Sequence, residues 1–120
     1  MKTNKAILVV EPTKKAFDRF ASVLKKPSKA KYKGYTVLSF PTFEALGKVI
    51  TGARLQLLFA IHNNRPKSIQ ELARVVDRDF KNVYNDVKLL AEYGLIILKE
   101  NGARKAALPI AKYTEFLLAA

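Results

Sequence analysis

The chain contains no cysteine and a single histidine, His62. The first absence excludes a disulfide framework and any thiolate metal site, and fits a reducing compartment. The second leaves a transition-metal site dependent on carboxylates, yet Glu71 stands where a helix cap is needed and Asp77 and Asp79 fall in a turn. No metal and no cofactor are expected, and His62, on a helical stripe with Leu55, Leu58 and Phe59, is expected at the core or its edge. No apolar run approaches the ~18 residues of a membrane span, and Ala6–Val10 is too short for a signal-peptide core. Neither a phosphate-cradling glycine loop nor a Gly-x-Ser-x-Gly elbow is present, so the signatures of nucleotide hydrolases and serine esterases are missing. The expectation is a soluble cytoplasmic protein that is not an enzyme and does not use a membrane.

Acidic residues are also scarce: 10 Asp and Glu face 22 Lys and Arg, for a formal charge of +12 and a pI near 10.0. Such an excess favours a polyanionic partner, nucleic acid or an anionic membrane surface. It is uneven, because residues 1–40 hold ten of the 22 basic residues but only Glu11 and Asp18 among the acids. Five of those lysines, Lys25, Lys26, Lys29, Lys31 and Lys33, fall within nine residues and repel one another unless a polyanion or carboxylates lie nearby. An arm on the DNA backbone needs no further partner, and docking to an acidic protein is the alternative.

What the chain does have is apolar material, 49% of 120 residues, enough for a core of its own. Residues 1–40 read as strand, helix, strand. Ala6–Val10 is an apolar run stopped by Pro12. Thr13 is a candidate N-cap for a helix in which Phe17, Phe20, Ala21 and Leu24 recur at i, i+3, i+4 and i+7, an apolar face opposite a basic one. "KKPSKAKYKGY" is a loop and "YTVLSF" has strand composition. A unit this small needs the rest of the chain or a second copy to cover it.

From residue 41 the pattern is helical. Thr42 and Thr51 can cap successive helices, and the second, "GARLQLLFAIHNN", is apolar almost all round, which predicts burial. Ser68-x-x-Glu71 is a capping box opening a helix that runs to about Val76, with Leu72 and Val76 toward the core and Ala73 small enough for a close crossing. A three-residue turn follows, Asp79 can cap the next helix, and Phe80, Val83, Val87, Leu90 and the terminating Gly94 gather on one side at 3.6-residue spacing. Two helices so closely joined cross steeply, as in a helix-turn-helix. The face opposite the apolar stripe carries Lys81, Tyr84, Asn85 and Lys88, with Asn82 on its flank near the amino end. These side chains can hydrogen-bond base edges and phosphates in a major groove, although alone such a face is also an ordinary solvated surface.

The helix does not stand alone. "LIILK", "ENGA" and "RKAALPI" follow at once. Asn101-Gly102 between apolar runs predicts a type I′ hairpin, and Pro109 must lie at a strand end or edge. Lys99, Arg104 and Lys105 near its tip would reach phosphates beside the groove, or would simply protect an edge by charge. The order of parts predicts an α+β winged helix-turn-helix over 41–120, with a strand-helix-strand extension over 1–40 for dimerisation or docking. Tyr113, Phe116 and Leu117, at i, i+3 and i+4, suggest packing or a dimer contact.

Residues 40–118, and above all "SIQELARVVDRDFKNVYNDVKLLAEYGLI", resemble the MarR-related winged-helix family of bacterial and archaeal transcriptional regulators. The run "RD-x-KNV-x-x-DVK-x-L" corresponds to Arg78, Asp79, Lys81, Asn82, Val83, Asp86, Val87, Lys88 and Leu90. Asp77 stands where many helix-turn-helix units have Gly, and Asp tolerates the left-handed conformation. The resemblance implies a regulator that occupies a double-stranded DNA operator, and candidate contacts Arg78, Lys81, Asn82, Tyr84, Asn85, Lys88, Lys99, Arg104 and Lys105. A homodimer would double the site read. Some members resemble antitoxins encoded beside a small nuclease-like toxin, which implies an alternative: neutralising a toxin while autoregulating the operon. The lysine-rich first third would also suit an RNA-binding or nucleoid protein.

Overall fold

The computed structural model of the chain describes residues 5–27, 34–101 and 106–119. Lys29, Lys31, Lys33, Arg104 and Lys105 lie outside these. Among the described residues, five helices and five strands make a mixed α and β fold, in two compact units: residues 1–48 with 113–120, and residues 49–112. This division differs from the expected 1–40 and 41–120, because the end of the chain returns to the first unit.

The first unit is built on β1 (Lys5–Val10), whose Ala6, Ile7, Leu8 and Val9 are all buried. A strand apolar on consecutive residues has both faces covered and both edges paired, as in a parallel sheet. β1 is the central strand, with β2 (Thr36–Phe40) parallel on one side and the carboxyl-terminal strand parallel on the other. Between β1 and β2 the chain forms α1 (Thr13–Lys25). Pro12, not Thr13, is its N-cap, and no side chain caps it. Proline's fixed φ suits a chain entering a helix, and Thr13 becomes the first helical residue. Glu11 ties the unit together, accepting from Arg19 Nη2 at 2.6 Å, Arg19 Nε at 3.1 Å and Ser39 Oγ at 3.3 Å.

The second unit follows α2 (Phe43–Val49), whose start is capped by Thr42 Oγ1 accepting from the Ala45 amide at 3.1 Å. In α3 (Gly52–Asn64) Thr51 caps as expected, and left-handed Arg65 ends the helix before the buried Pro66. Burial of α3 is only one-sided. Leu57, Leu58, Ala60 and Ile61 are inside, whereas Leu55, Phe59 and His62 form an exposed stripe. The expected burial of His62 is thus corrected: the second unit's neighbours of α3 pack against its other side.

α4 (Ile69–Val76) and α5 (Phe80–Glu92) complete the helical layer, with Leu72, Val83, Val87 and Leu90 fully inside. β3 (Ile96–Asn101) and β4 (Ala106–Ala111) then pair antiparallel against these helices. Asn101 belongs to β3 and pairs with Ala106, so it is not a central residue of a two-residue type I′ turn. The hairpin exists, and Gly102 lies outside the described residues. Pro109 lies within β4, and in a two-stranded sheet both strands are edges that tolerate a missing donor.

Although Tyr113, Phe116 and Leu117 recur at i, i+3 and i+4, the chain end is extended. Residues Glu115–Ala119 form β5, parallel to β1 with Lys5 opposite Glu115 and Leu8 opposite Leu118. Tyr113 is buried and meets the Phe116 ring edge-on at 6.3 Å. Three apolar residues match the helical template only weakly, and β1's free edge offers a full set of backbone partners.

Candidate nucleic-acid interface

The site is the surface of α5, and its position is set by both helix ends and by one ion-pair cluster. Ser68 Oγ accepts from the Glu71 amide at 3.0 Å, while Glu71 Oε2 reaches back one residue further than a capping box requires, to the Lys67 amide at 3.2 Å. α4 ends at Asp77, held left-handed at φ 54° and ψ 52°. The Asp77 and Arg78 amides donate to the Arg74 and Ala73 carbonyls at 3.2 and 3.0 Å, closing the helix in a Schellman-type motif. Asp79 Oδ2 then caps α5 by accepting from the Asn82 amide. Gly94, at φ 77°, ends it, with the Leu95 amide returning to the Leu90 carbonyl at 2.9 Å.

With Val83, Val87 and Leu90 at 0% exposure, the rotation of α5 is fixed. Lys81, Asn82, Tyr84, Asn85 and Lys88 are all exposed, and the wheel places Lys81, Asn85 and Lys88 opposite the buried stripe. Lys99 is exposed on β3.

Arg78 departs from expectation. Its Nη2 donates to Asp86 Oδ2 at 2.8 Å, while Arg54 Nε donates to Asp86 Oδ1 at 3.2 Å. Arg54 also donates through Nη1 to the Val49 carbonyl at 3.2 Å. One carboxylate thus fastens α5 to α3 and to the turn before it. Arg78 supports the exposed face instead of joining it, and the Arg78–Asp86 part of the sequence motif is structural.

Phe80 also departs, in the other direction. Expected in the core, it is 49% exposed and stacks on Tyr84 with centroids 5.9 Å apart and planes 27° from parallel. Lys88 Nζ lies 5.5 Å from the Tyr84 ring centre, within cation–π range. Phe80, Tyr84 and Lys88 therefore form a ladder at i, i+4 and i+8 along one shoulder of α5. The reason is directional: helical side chains lean toward the amino end, so a first-turn residue projects past the packed layer. Its place at the first helical position was the signal available in the sequence.

The face can donate hydrogen bonds from Lys81, Asn82, Asn85 and Lys88, accept them at both asparagines, and offer aromatic surface at Phe80 and Tyr84. Among the described residues no group of three His, Cys, Asp or Glu could hold a metal ion, and no helix is long and apolar enough to cross a membrane.

No curated protein matches the chain. No solved structure matches it either. The sequence model of one family, HVO_A0114, matches residues 49–117, a span that takes in the whole α3–β4 segment. Since that is more than half of the 120 residues, the chain belongs to the HVO_A0114 family.

Proposed function

We propose that the protein is a sequence-specific double-stranded DNA-binding regulator of the winged helix-turn-helix kind, related to MarR-type regulators, with α5 entering the major groove. The carrying observation is that Lys81, Asn85 and Lys88 stand exposed on the side of α5 opposite three completely buried residues. Asparagine pairs bidentately with adenine and lysine with guanine, so this is a face suited to reading bases. Lys99 on β3, with Arg104 and Lys105 after it in the sequence, supplies cations for phosphates beside the groove, which position without specifying. The formal charge of +12 adds long-range attraction. Of the functions expected from the sequence, the regulator is the one this face favours, and two-fold pairing would extend the site across successive turns of the duplex.

The test is selection of bound duplexes from a random pool, followed by affinity measurements against salt. A regulator enriches a defined site, preferred over random duplex by roughly 10³-fold or more. Its log affinity falls with log salt by about 0.9 per phosphate neutralised. Absence of any enriched duplex, with equal binding to single-stranded RNA, would replace this reading with a general nucleic-acid binder.

A further inference from the structure

α1 has no buried residue, and its stripe of large apolar side chains is exposed. Phe17 is 70%, Phe20 61% and Leu24 68% exposed, with the small Ala21 between them. One border of the stripe opens on an apolar cleft of about 310 Å³ shared with Val37 of β2. An amphipathic helix normally buries such a stripe, and contiguous exposed apolar surface marks an interaction site.

The charges on the other border identify the occupant. At about 100° per residue, Asp18 and Lys25 lie within about 20° of each other around the helix. Both are exposed, and neither takes part in an ion pair among the described residues. Asp18 is the one acid in a helix that also holds Lys14, Lys15, Arg19 and Lys25. When two copies of a helix pack antiparallel about a two-fold axis, like flanks meet. With the axis at Ala21, Asp18 of one copy and Lys25 of the other fall within about 1.5 Å of the same level, and Lys14 lies about 4.5 Å farther out. Symmetry forms the pair twice, and Phe17 comes beside Leu24 of the other copy.

We infer that α1 pairs antiparallel with α1 of a second copy of this chain, burying Phe17, Phe20 and Leu24 and joining Asp18 to Lys25 of the other copy at both ends. A covered aromatic ring buries ~150–250 Å², so the three exposed side chains contribute roughly 350–400 Å² per copy. With Asp18, Ala21 and Lys25 the pair approaches the lower end of specific interfaces, about 1,200 Å² in total. A basic helix with an apolar stripe also suits an anionic lipid surface, but an aspartate bordering the stripe opposes that and favours a self-complementary partner. This pairing does not depend on DNA binding.

Sedimentation equilibrium of the full chain from about 1 to about 200 μM tests it. Wild type shows a reversible dimer. Asp18→Lys or Lys25→Glu weakens it roughly tenfold, because each replaces two attractions by two repulsions, and the double variant returns to within about threefold. Both sites are exposed, so circular dichroism should report an unchanged fold. In a chain without native cysteine, Ala21→Cys should form a disulfide-linked dimer on mild oxidation, since the axis brings the two positions within bridging range. Wild type that stays monomeric throughout overturns the inference, as does a double variant that fails to recover. A monomer that floats with anionic vesicles would assign the stripe to lipid instead.

Discussion

Arg78 Nη2 donates to Asp86 Oδ2 at 2.8 Å, and the other oxygen of that carboxylate accepts from Arg54 at 3.2 Å. Asp86 is only 16% exposed, so the cluster is shielded enough to matter. Its removal would leave two guanidinium groups facing each other at the base of α5. Asp86→Ala is expected to cost about 2–3 kcal/mol in urea unfolding, and Arg78→Ala about 1–2 kcal/mol. Arg78→Ala should leave the salt slope of DNA binding unchanged, because its charge is already engaged. A loss below about 0.5 kcal/mol for Asp86→Ala would reduce the cluster to an ordinary surface pair.

On the exposed face, Lys81→Ala and Asn85→Ala should each weaken a selected DNA site by about 1–3 kcal/mol while leaving the unfolding midpoint unchanged. Titration of labelled duplex with each variant, beside a scrambled duplex, checks this. Variants that bind the selected site as tightly as wild type would place the reading face elsewhere.

If α5 enters the major groove as proposed, the exposed Phe80 brings an apolar side chain to its amino end, and the thymine 5-methyl is the apolar feature of that groove. Substituting deoxyuridine for each thymine of the site in turn should reveal at least one position where the lost methyl costs about 1 kcal/mol. In Phe80→Ala that sensitivity should vanish. If every thymine is equally dispensable for wild type, Phe80 does not read the groove.

Gly94 ends α5 at φ 77°, and an added Cβ would meet no heavy atom within 4 Å. Gly94→Ala therefore tests backbone strain free of any steric clash, and should cost about 1–2 kcal/mol. An unchanged urea midpoint would mean that the connection into β3 relaxes to negative φ.

Much of the candidate site was legible because its determinants are local. Thr51, Ser68 and Asp79 each accept from an amide three residues on, and the spacing of Val83, Val87 and Leu90 alone orients the exposed side of α5. Asp77 was readable as a tolerated left-handed residue in the same way. Phe80 was misplaced because periodicity treats a helix as endless and ignores where its packed neighbours stop. Arg78 was misplaced because a basic residue beside a basic face says nothing of a carboxylate two turns into the next helix.

By itself the sequence determined the helices, the caps of α2 to α5, the short α4–α5 turn and the polar side of α5, all of which follow from hydrogen bonds and side-chain directions within three or four residues. Tertiary structure alone decided that the chain end joins β1 as a parallel strand, that Asp86 gathers Arg54 and Arg78, and that the stripes of α1 and α3 remain exposed. Strand partners and ion-pair partners distant along the chain leave no periodic trace, since any apolar run can complete an edge and any carboxylate can meet an arginine. Which stripe is covered depends on what the rest of the chain brings against it.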